Sequence, residues 1–156
     1  MHPPEQALWY ADWAWSLPLI VLTVVIHVLG LWLLNGRVIP PLSTMVAGRH
    51  ATGAFVVVMG ITILLVTFLH GVEAAIWAGA YLFLEALPNP RSAMLYSLGS
   101  MTTFGHANLF LRDHWQLMGA LEALNGIILF GLTTAFLFAR IQRIWPLGSE
   151  EPHRGF

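Results

Sequence analysis

The chain has 156 residues, of which 57% are hydrophobic and 10% charged, and its formal net charge is −1. Because about a quarter of the residues in a soluble domain are charged, this composition predicts a single domain embedded in a membrane. The near-zero charge argues against a nucleic-acid partner, and the lack of cysteine excludes disulfides, zinc–thiolate sites, iron–sulfur clusters and thiol catalysis.

The first apolar run, Trp15 to Leu34, matches the roughly 20 residues that a membrane helix needs. The residues before it lack the basic start of a signal peptide, and no small-residue cleavage site follows, so we expect the segment to be retained. Pro40-Pro41 predict a turn after this helix. Residues 1–50 therefore form an N-terminal helix and a loop.

Two further apolar runs predict two more spans. The second extends from Thr52 to Leu87, and a straight helix of that length would measure about 50 Å at 1.5 Å per residue. We therefore expect its last part to tilt, bend or leave the membrane. The last run is Trp115 to Ala139, and it is closed by Arg140.

The segment between these two runs, Ser92 to Leu111, is uncharged but rich in glycine, serine and threonine. It could be a fourth span or a loop that enters and leaves the membrane on one side. Arginine collects on the cytoplasmic side of membrane proteins. A loop divides the arginines five to two, whereas four spans divide them four to three at best. We therefore predict three spans, with the N-terminus outside and the C-terminus in the cytoplasm.

A short helix is predicted at the start of this segment. Asn89 can cap a helix, and Pro90 fits its first position. A helix from about Arg91 to Met101 would be roughly 16 Å long, about half of a bilayer. Irregular backbone at that depth persists only when it is buried in protein or lines a watery path. The segment is therefore predicted to be a pore helix followed by a pore loop.

The residues after this helix, Thr102 to Gly105, have the character of an ion filter, in which backbone carbonyls replace the hydration shell of a cation. Thr103-Phe104-Gly105-His106-Ala107-Asn108 resembles the T-x-G-Y-G-D signature of potassium channels. Residues 51–145 as a whole resemble the two-helix pore module of bacterial potassium-channel-like proteins. His70-x-x-Glu73 and Leu121-Glu122-Ala123-Leu124-Asn125-Gly126 resemble a branch with one extra N-terminal helix.

The resemblance implies an all-α homotetramer in the lipid bilayer of a bacterial inner membrane, with a short cytoplasmic tail, residues 146–156. It implies a passive channel for potassium rather than an enzyme, without a cofactor or an identified soluble ligand. The K⁺ ions would be bound by Thr103, Phe104, Gly105 and His106, flanked by Thr102, Ala107 and Asn108. Since His106, Ala107 and Asn108 replace the tyrosine, glycine and aspartate of the signature, ion selectivity stays open, and a non-conducting relative is the alternative.

Other residues are candidates for supporting the filter or for gating. Glu122 would either hydrogen-bond the pore loop or form a structural tie, and Asn125, three residues on, shares its helix face. Gly126 and Gly131 would be hinges or points of close helix packing. His70 and Glu73 can meet on one helix face, as a proton sensor or as a structural anchor.

Two functions from other classes compete with the channel. A membrane metal or haem protein could use His27, His70, His106 and His114. Counted from Trp15, His27 lies about 18 Å below the outer surface. Counted from Thr52 on the opposite side, His70 lies about 27 Å up and therefore near the outer surface. The two histidines are expected to be separated. A membrane hydrolase would need a nucleophile beside Glu73 or Glu122, and no such motif is present in the sequence.

Overall fold

The structure, a computed structural model, describes residues 5–46, 51–105, 108–112 and 115–144. The ordered elements of this part of the chain are all helical. They are α1 (Glu5–Leu33), a π-helical turn (Leu34–Val38), α2 (Ile39–Val46), α3 (Ala51–Phe83), α4 (Pro90–Met101) and α5 (Gln116–Ile144). The predicted all-α fold is confirmed for these residues.

Three stretches are long and apolar enough to cross a membrane, as predicted: Gln6–Thr44, Gly53–Phe83 and Gln116–Gln142. Their outer surfaces are apolar, since Val21 is 62% exposed and Leu64 is 69% exposed. Polar side chains such as Thr23 and Thr62 are buried instead. Apolar groups outside and polar groups between helices are the arrangement expected when the solvent is lipid.

The first helix begins ten residues earlier than predicted and carries a buried polar stripe. Asp12, Ser16, Thr23 and His27 are spaced four, seven and four residues apart, so they lie along one face. Each is at most 5% exposed. This face packs α1 against α3 and α5.

The predicted turn at Pro40-Pro41 is wrong, because the chain remains helical through both prolines. Proline has no backbone N–H and is tolerated in the first turn of a helix, where the donor is not needed. Just before the prolines the helix widens, and the Ile39 N–H donates to the Leu34 carbonyl five residues back. The π-helical turn therefore lets α1 continue into α2.

The widened turn leaves one carbonyl to be satisfied from elsewhere. The Ile39 N–H is taken by Leu34, and the residue five positions after Asn35 is Pro40, which cannot donate. Arg140, near the end of α5, donates to the Asn35 carbonyl at 3.0 Å and also to the Asn35 side chain. The end of α5 is thereby fixed to the π-helical turn.

The third helix ends at Phe83, four residues before the predicted boundary, and a short turn leads into α4. Asn89 caps α4 by accepting a hydrogen bond from the Ser92 N–H at 2.9 Å, and Pro90 occupies the first helical turn. The predicted capping and length of this helix are confirmed. It packs against both α3 and α5.

A hydrophobic core fixes the end of the bundle at which α3 meets α4. Trp77 and Tyr81 of α3, Ala93 of α4 and Met118 of α5 are all completely buried there. The rings of Tyr81 and Tyr96 pack edge to face, with their centroids 5.4 Å apart. The short helix is therefore held on two sides.

Candidate functional site

The segment from Asn89 to Arg112 begins and ends at the same end of α3. Its start follows the turn after α3, and at its far end the Arg112 N–H donates to the Ala86 carbonyl in that turn at 3.4 Å. Between these points, the end of α4 at Met101 lies against Gly126, ten residues inside α5. The chain therefore runs from one end of the bundle toward the middle of α5 and returns.

Two glycines of α5 allow this approach. A Cβ at Gly126 would overlap the backbone of Met101, with the Met101 Cα at 2.7 Å and its carbonyl carbon at 2.8 Å. A Cβ at Gly119 would overlap the hydroxyl of Tyr96. Of the two uses predicted for Gly126, close packing is the one seen. Gly131 faces open space, and α5 continues through it as one helix.

Glu122 is completely buried and joins three helices. The Tyr81 hydroxyl of α3 donates to Oε2 at 2.6 Å, and the Ser97 hydroxyl of α4 bonds Oε1. The Ser97 hydroxyl also lies 2.8 Å from the Ala74 carbonyl oxygen. Glu122 therefore holds α4 through Ser97. A second contact between α4 and α5 is the hydrogen bond that the Ser100 hydroxyl donates to the Gly119 carbonyl at 2.8 Å.

Tyr96 of α4 contacts the ring of Tyr81 in this network and lies outside the three long apolar stretches. Burial, followed by the negative charge of Glu122, raises the pKa of its hydroxyl above the ordinary tyrosine value. The phenol is therefore neutral at physiological pH. Its position against Gly119 gives it a packing role between α4 and α5.

The residues after α4 are exposed. Thr103 has a φ of 57° and Gly105 a φ of 70°, so both have left-handed backbone, which is rare for a β-branched residue such as threonine. The Thr102 hydroxyl donates to the Leu98 carbonyl at 2.7 Å, whereas Phe104 is 85% exposed. His106 and Ala107 lie outside the described residues, and Asn108 is exposed beyond them.

An open groove of about 400 Å³ runs between this segment and α5. Its walls include Thr103 and Gly105 on one side and Ala120 and Ala123 on the other. Large apolar residues next to it are uncovered, among them Phe110, which is 71% exposed. The filter candidates and the first half of α5 therefore share one apolar face.

A second polar cluster lies between α1, α3 and α5. His27 Nδ1 is 2.9 Å from Glu73 Oε1, and His70 Nδ1 is 3.1 Å from Glu73 Oε2. The Thr133 hydroxyl of α5 lies 3.1 Å from Nε2 of both histidines. We call these four residues the His–Glu cluster, and one ligand atom each of His27, His70 and Glu73 lies within 4.8 Å of the others.

The predicted separation of His27 and His70 is wrong, because their ring centroids are 5.0 Å apart. The predicted depth of His27 took Trp15 as the start of the span and Leu34 as its end, whereas helix extends from Glu5 to Val46. Since the chain stays helical to Val46, His27 lies nineteen residues before the end of α2, and His70 lies nineteen residues after the start of α3. The two depths are then equal, about 28 Å from the reversal of the chain.

Close packing of α1 on α3 completes the cluster. Gly30, one turn after His27, has no side chain, and Leu69 Cδ2 lies 2.7 Å from the place where a Cβ would stand. The expected meeting of His70 and Glu73 on one helix face is confirmed. Both rings lie against the same carboxylate and the same hydroxyl, with their centroids 5.0 Å apart, so no space for a porphyrin is left between His27 and His70.

Asn125, three residues after Glu122 on α5, contacts a different helix, α1. Its side-chain N–H donates to the Thr23 hydroxyl of α1 at 2.8 Å, and both side chains are completely buried. Thr23, Ser97 and Thr133 belong to these networks but were not among the predicted site residues. The four-residue spacing between Thr23 and His27 could have identified their common face, whereas Ser97 and Thr133 have no comparable signal.

The chain was compared with protein-family models, with curated proteins and with solved structures, and none of the three comparisons gives a match.

Proposed function

We propose that the chain is the subunit of a homotetrameric channel that conducts cations passively, with potassium as the preferred ion. The observation that carries the proposal is the path of residues 89–112, which run to the middle of α5 and return to the turn after α3. In a membrane, this path is that of a re-entrant loop. Such a loop is tolerated where it is buried in protein or lines water.

The short helix has the length and setting that a pore helix requires. Its twelve residues rise about 18 Å, which is too short to cross a bilayer. The partial negative charge of its C-terminal end, at Met101, would lie near the middle of the bilayer and favour a cation there. The hydrogen bonds of Ser97 with Glu122 and of Ser100 with Gly119 hold this helix against α5.

The exposed face around the groove supports assembly into a tetramer. In one chain alone, Phe104, Phe110 and the adjoining surface of α5 are uncovered, as are Leu124 and Ile127. Four copies arranged about an axis would cover this face and bring four filter segments together. Their carbonyls, from Thr103 to His106, would then surround an ion in the manner of a potassium filter.

The proposed setting is a bacterial inner membrane, with the N-terminus outside and the C-terminus in the cytoplasm. It is supported by the arginines, because Arg37 and Arg140 lie near one end of the long helices, and Arg91 and Arg112 near the other. Arginine is enriched at the cytoplasmic ends of spans. The end that carries the re-entrant opening is then extracellular.

One observation favours a second candidate, a channel-like protein that does not conduct. Thr103, in left-handed backbone, donates to the Ser100 carbonyl, and the Gly105 N–H donates to the Gly99 carbonyl. The first of these bonds, from the residue after the C-cap to Ser100, is one found at helix C-termini. Both bonds fold the first filter residues back onto α4, whereas a conducting filter is extended.

A flux measurement separates the two candidates. The full chain is reconstituted into liposomes that are loaded with either potassium or sodium. The efflux of each ion is then measured. The channel proposal predicts potassium efflux that exceeds sodium flux and that is lost in Gly126→Val, whose side chain would displace Met101. Absence of flux of either ion from a preparation shown to be tetrameric would overturn the channel proposal and support the second candidate.

A further inference from the structure

The His–Glu cluster contains none of the residues proposed to bind ions in the filter. Its members come from three helices: His27 from α1, His70 and Glu73 from α3, and Thr133 from α5. His27 and Glu73 are completely buried, and the His70 side chain is 11% exposed. Ionisable groups in such a place are costly and need partners that neutralise them.

With Glu73 ionised and both histidines neutral, the cluster carries one negative charge that no group within it balances. An ionised Glu73 only accepts hydrogen bonds, so two neutral histidines that donate from Nδ1 have only lone pairs left at Nε2. Thr133 has one hydroxyl proton to offer these two nitrogens. If instead both Nε2 atoms donate to Thr133, which has two lone pairs, then both Nδ1 lone pairs face the carboxylate. In either arrangement at least one contact between lone pairs is left over, and a proton or a metal ion would remove it.

The geometry at His70 indicates where that cation belongs. His70 Nδ1 and Glu73 Oε2 are 3.1 Å apart but are not aligned for a hydrogen bond with each other. Both atoms are buried. His70 Nδ1 and Glu73 Oε2 each have a lone pair and lie close together without pointing at each other. Neighbouring ligands of one metal ion have this arrangement.

We propose that His27 Nδ1, His70 Nδ1 and a carboxylate oxygen of Glu73 bind one divalent transition-metal ion of the zinc class. Two imidazole nitrogens and one carboxylate oxygen are the ligand set of many three-residue zinc sites. Thr133 accepts from both Nε2–H groups and so fixes each ring with its Nδ1 lone pair toward the ion, as the outer partners of metal-bound histidines do. This donor set is unsuited to potassium, which is bound by oxygen.

The ion would enter from the side of His70. The His70 ring is stacked on Phe130, with the centroids 4.4 Å apart, and Phe130 is partly exposed. His27 and Glu73 have no exposed surface. A bound ion would join α1 to α3 through direct ligands and to α5 through Thr133, so the site fixes the first helix to the rest of the bundle.

Cobalt binding tests the proposal, because Co²⁺ occupies zinc-class sites and its visible absorption reports its ligands. The full chain, purified without an affinity tag and stripped with a chelator, is expected to bind one Co²⁺ per chain, and Zn²⁺ is expected to displace it. His27→Gln and Glu73→Gln should lose this binding. Thr133→Val keeps all three ligands and should bind the ion about 10–100-fold more weakly.

Two controls keep the result specific. The chain has seven histidines, and the five outside the cluster are His2, His50, His106, His114 and His153. A variant with these five changed to glutamine is expected to bind Co²⁺ as the wild type does. Glu122→Gln removes a buried carboxylate of α5 that lies outside the cluster, and this variant should also retain binding.

Three results would overturn the proposal. They are wild-type protein that binds no Co²⁺, cluster variants that bind it as well as the wild type does, and loss of binding in the five-histidine variant. Should His27→Gln or Glu73→Gln fail to fold, X-ray absorption of the wild-type cobalt protein decides the matter. Scattering from two imidazoles supports the site, and its absence places the ion outside the cluster and overturns the proposal.

Discussion

Gly126 is the single residue on which the position of the short helix depends most directly. Its missing side chain lets the backbone of Met101 contact α5, so the end of α4 reaches ten residues into that helix. Glycine lowers helix stability by about 1 kcal/mol relative to alanine. Close packing against Met101 explains why it stands there, whereas nothing lies within 4 Å of a Cβ at Gly131.

Gly126→Ala is therefore expected to destabilise the protein by about 1–3 kcal/mol, since the new methyl group must push the Met101 backbone aside. Gly131→Ala is the matched control, and it should be neutral or stabilising because it gains helix propensity without a clash. Thermal unfolding in detergent, followed by circular dichroism, measures both. Equal stability of the two variants would contradict the close contact.

At this scale the sequence predicted some partners and not others. His70 and Glu73 could be paired because they are three residues apart on one helix. Glu122 could be recognised as a buried charge in a span, but its partners Tyr81 and Ser97 lie 41 and 25 residues away and have no spacing rule. Long-range pairs of this kind depend on how helices pack, which a single sequence does not encode by periodicity.

At the scale of elements, α4 is the helix best described by local sequence. Its start follows from Asn89 and Pro90, and its end lies at Met101, as predicted. The wrong prediction concerned a segment whose helical structure depends on hydrogen bonds made elsewhere in the chain. The prolines at 40 and 41 remain helical because of the π-helical turn before them and the hydrogen bond from Arg140, about a hundred residues later.

Asn89→Ala is expected to lower stability by about 1 kcal/mol, because the Ser92 N–H loses its acceptor at the start of α4. Asn89→Asp keeps an oxygen in the same place and should be close to the wild type. Chemical denaturation monitored by tryptophan fluorescence compares the three proteins. Should Asn89→Asp be as unstable as Asn89→Ala, the capping hydrogen bond is not the cause.

At the scale of the whole molecule, composition alone was enough for three long apolar helices, and the arrangement of polar groups inside them was not predictable. The depth of His27 illustrates the difficulty. An error of a few residues in where the chain reverses moves a residue by a whole helical turn. The quaternary structure is one step further away, since the tetramer is a proposal supported by the apolar face around the groove.

If the channel proposal holds, His106→Tyr combined with Ala107→Gly is expected to raise potassium flux or its selectivity over sodium. Glycine adopts the left-handed backbone that alanine resists by roughly 1 kcal/mol, and removal of the histidine removes a charge that repels cations in acid. Liposome efflux with the two ions measures both quantities. Unchanged values would place the limiting step outside these two positions.

The buried polar stripe of α1 also has a consequence for how the protein is made. His27 enters the membrane early in synthesis, but its partner Glu73 follows 46 residues later and Thr133 follows 106 residues later. Until then its imidazole would face lipid, which is unfavourable. The first helix must therefore be held at the insertion machinery, or stay loosely inserted, until α3 and then α5 arrive, so this bundle closes only when its last span is complete.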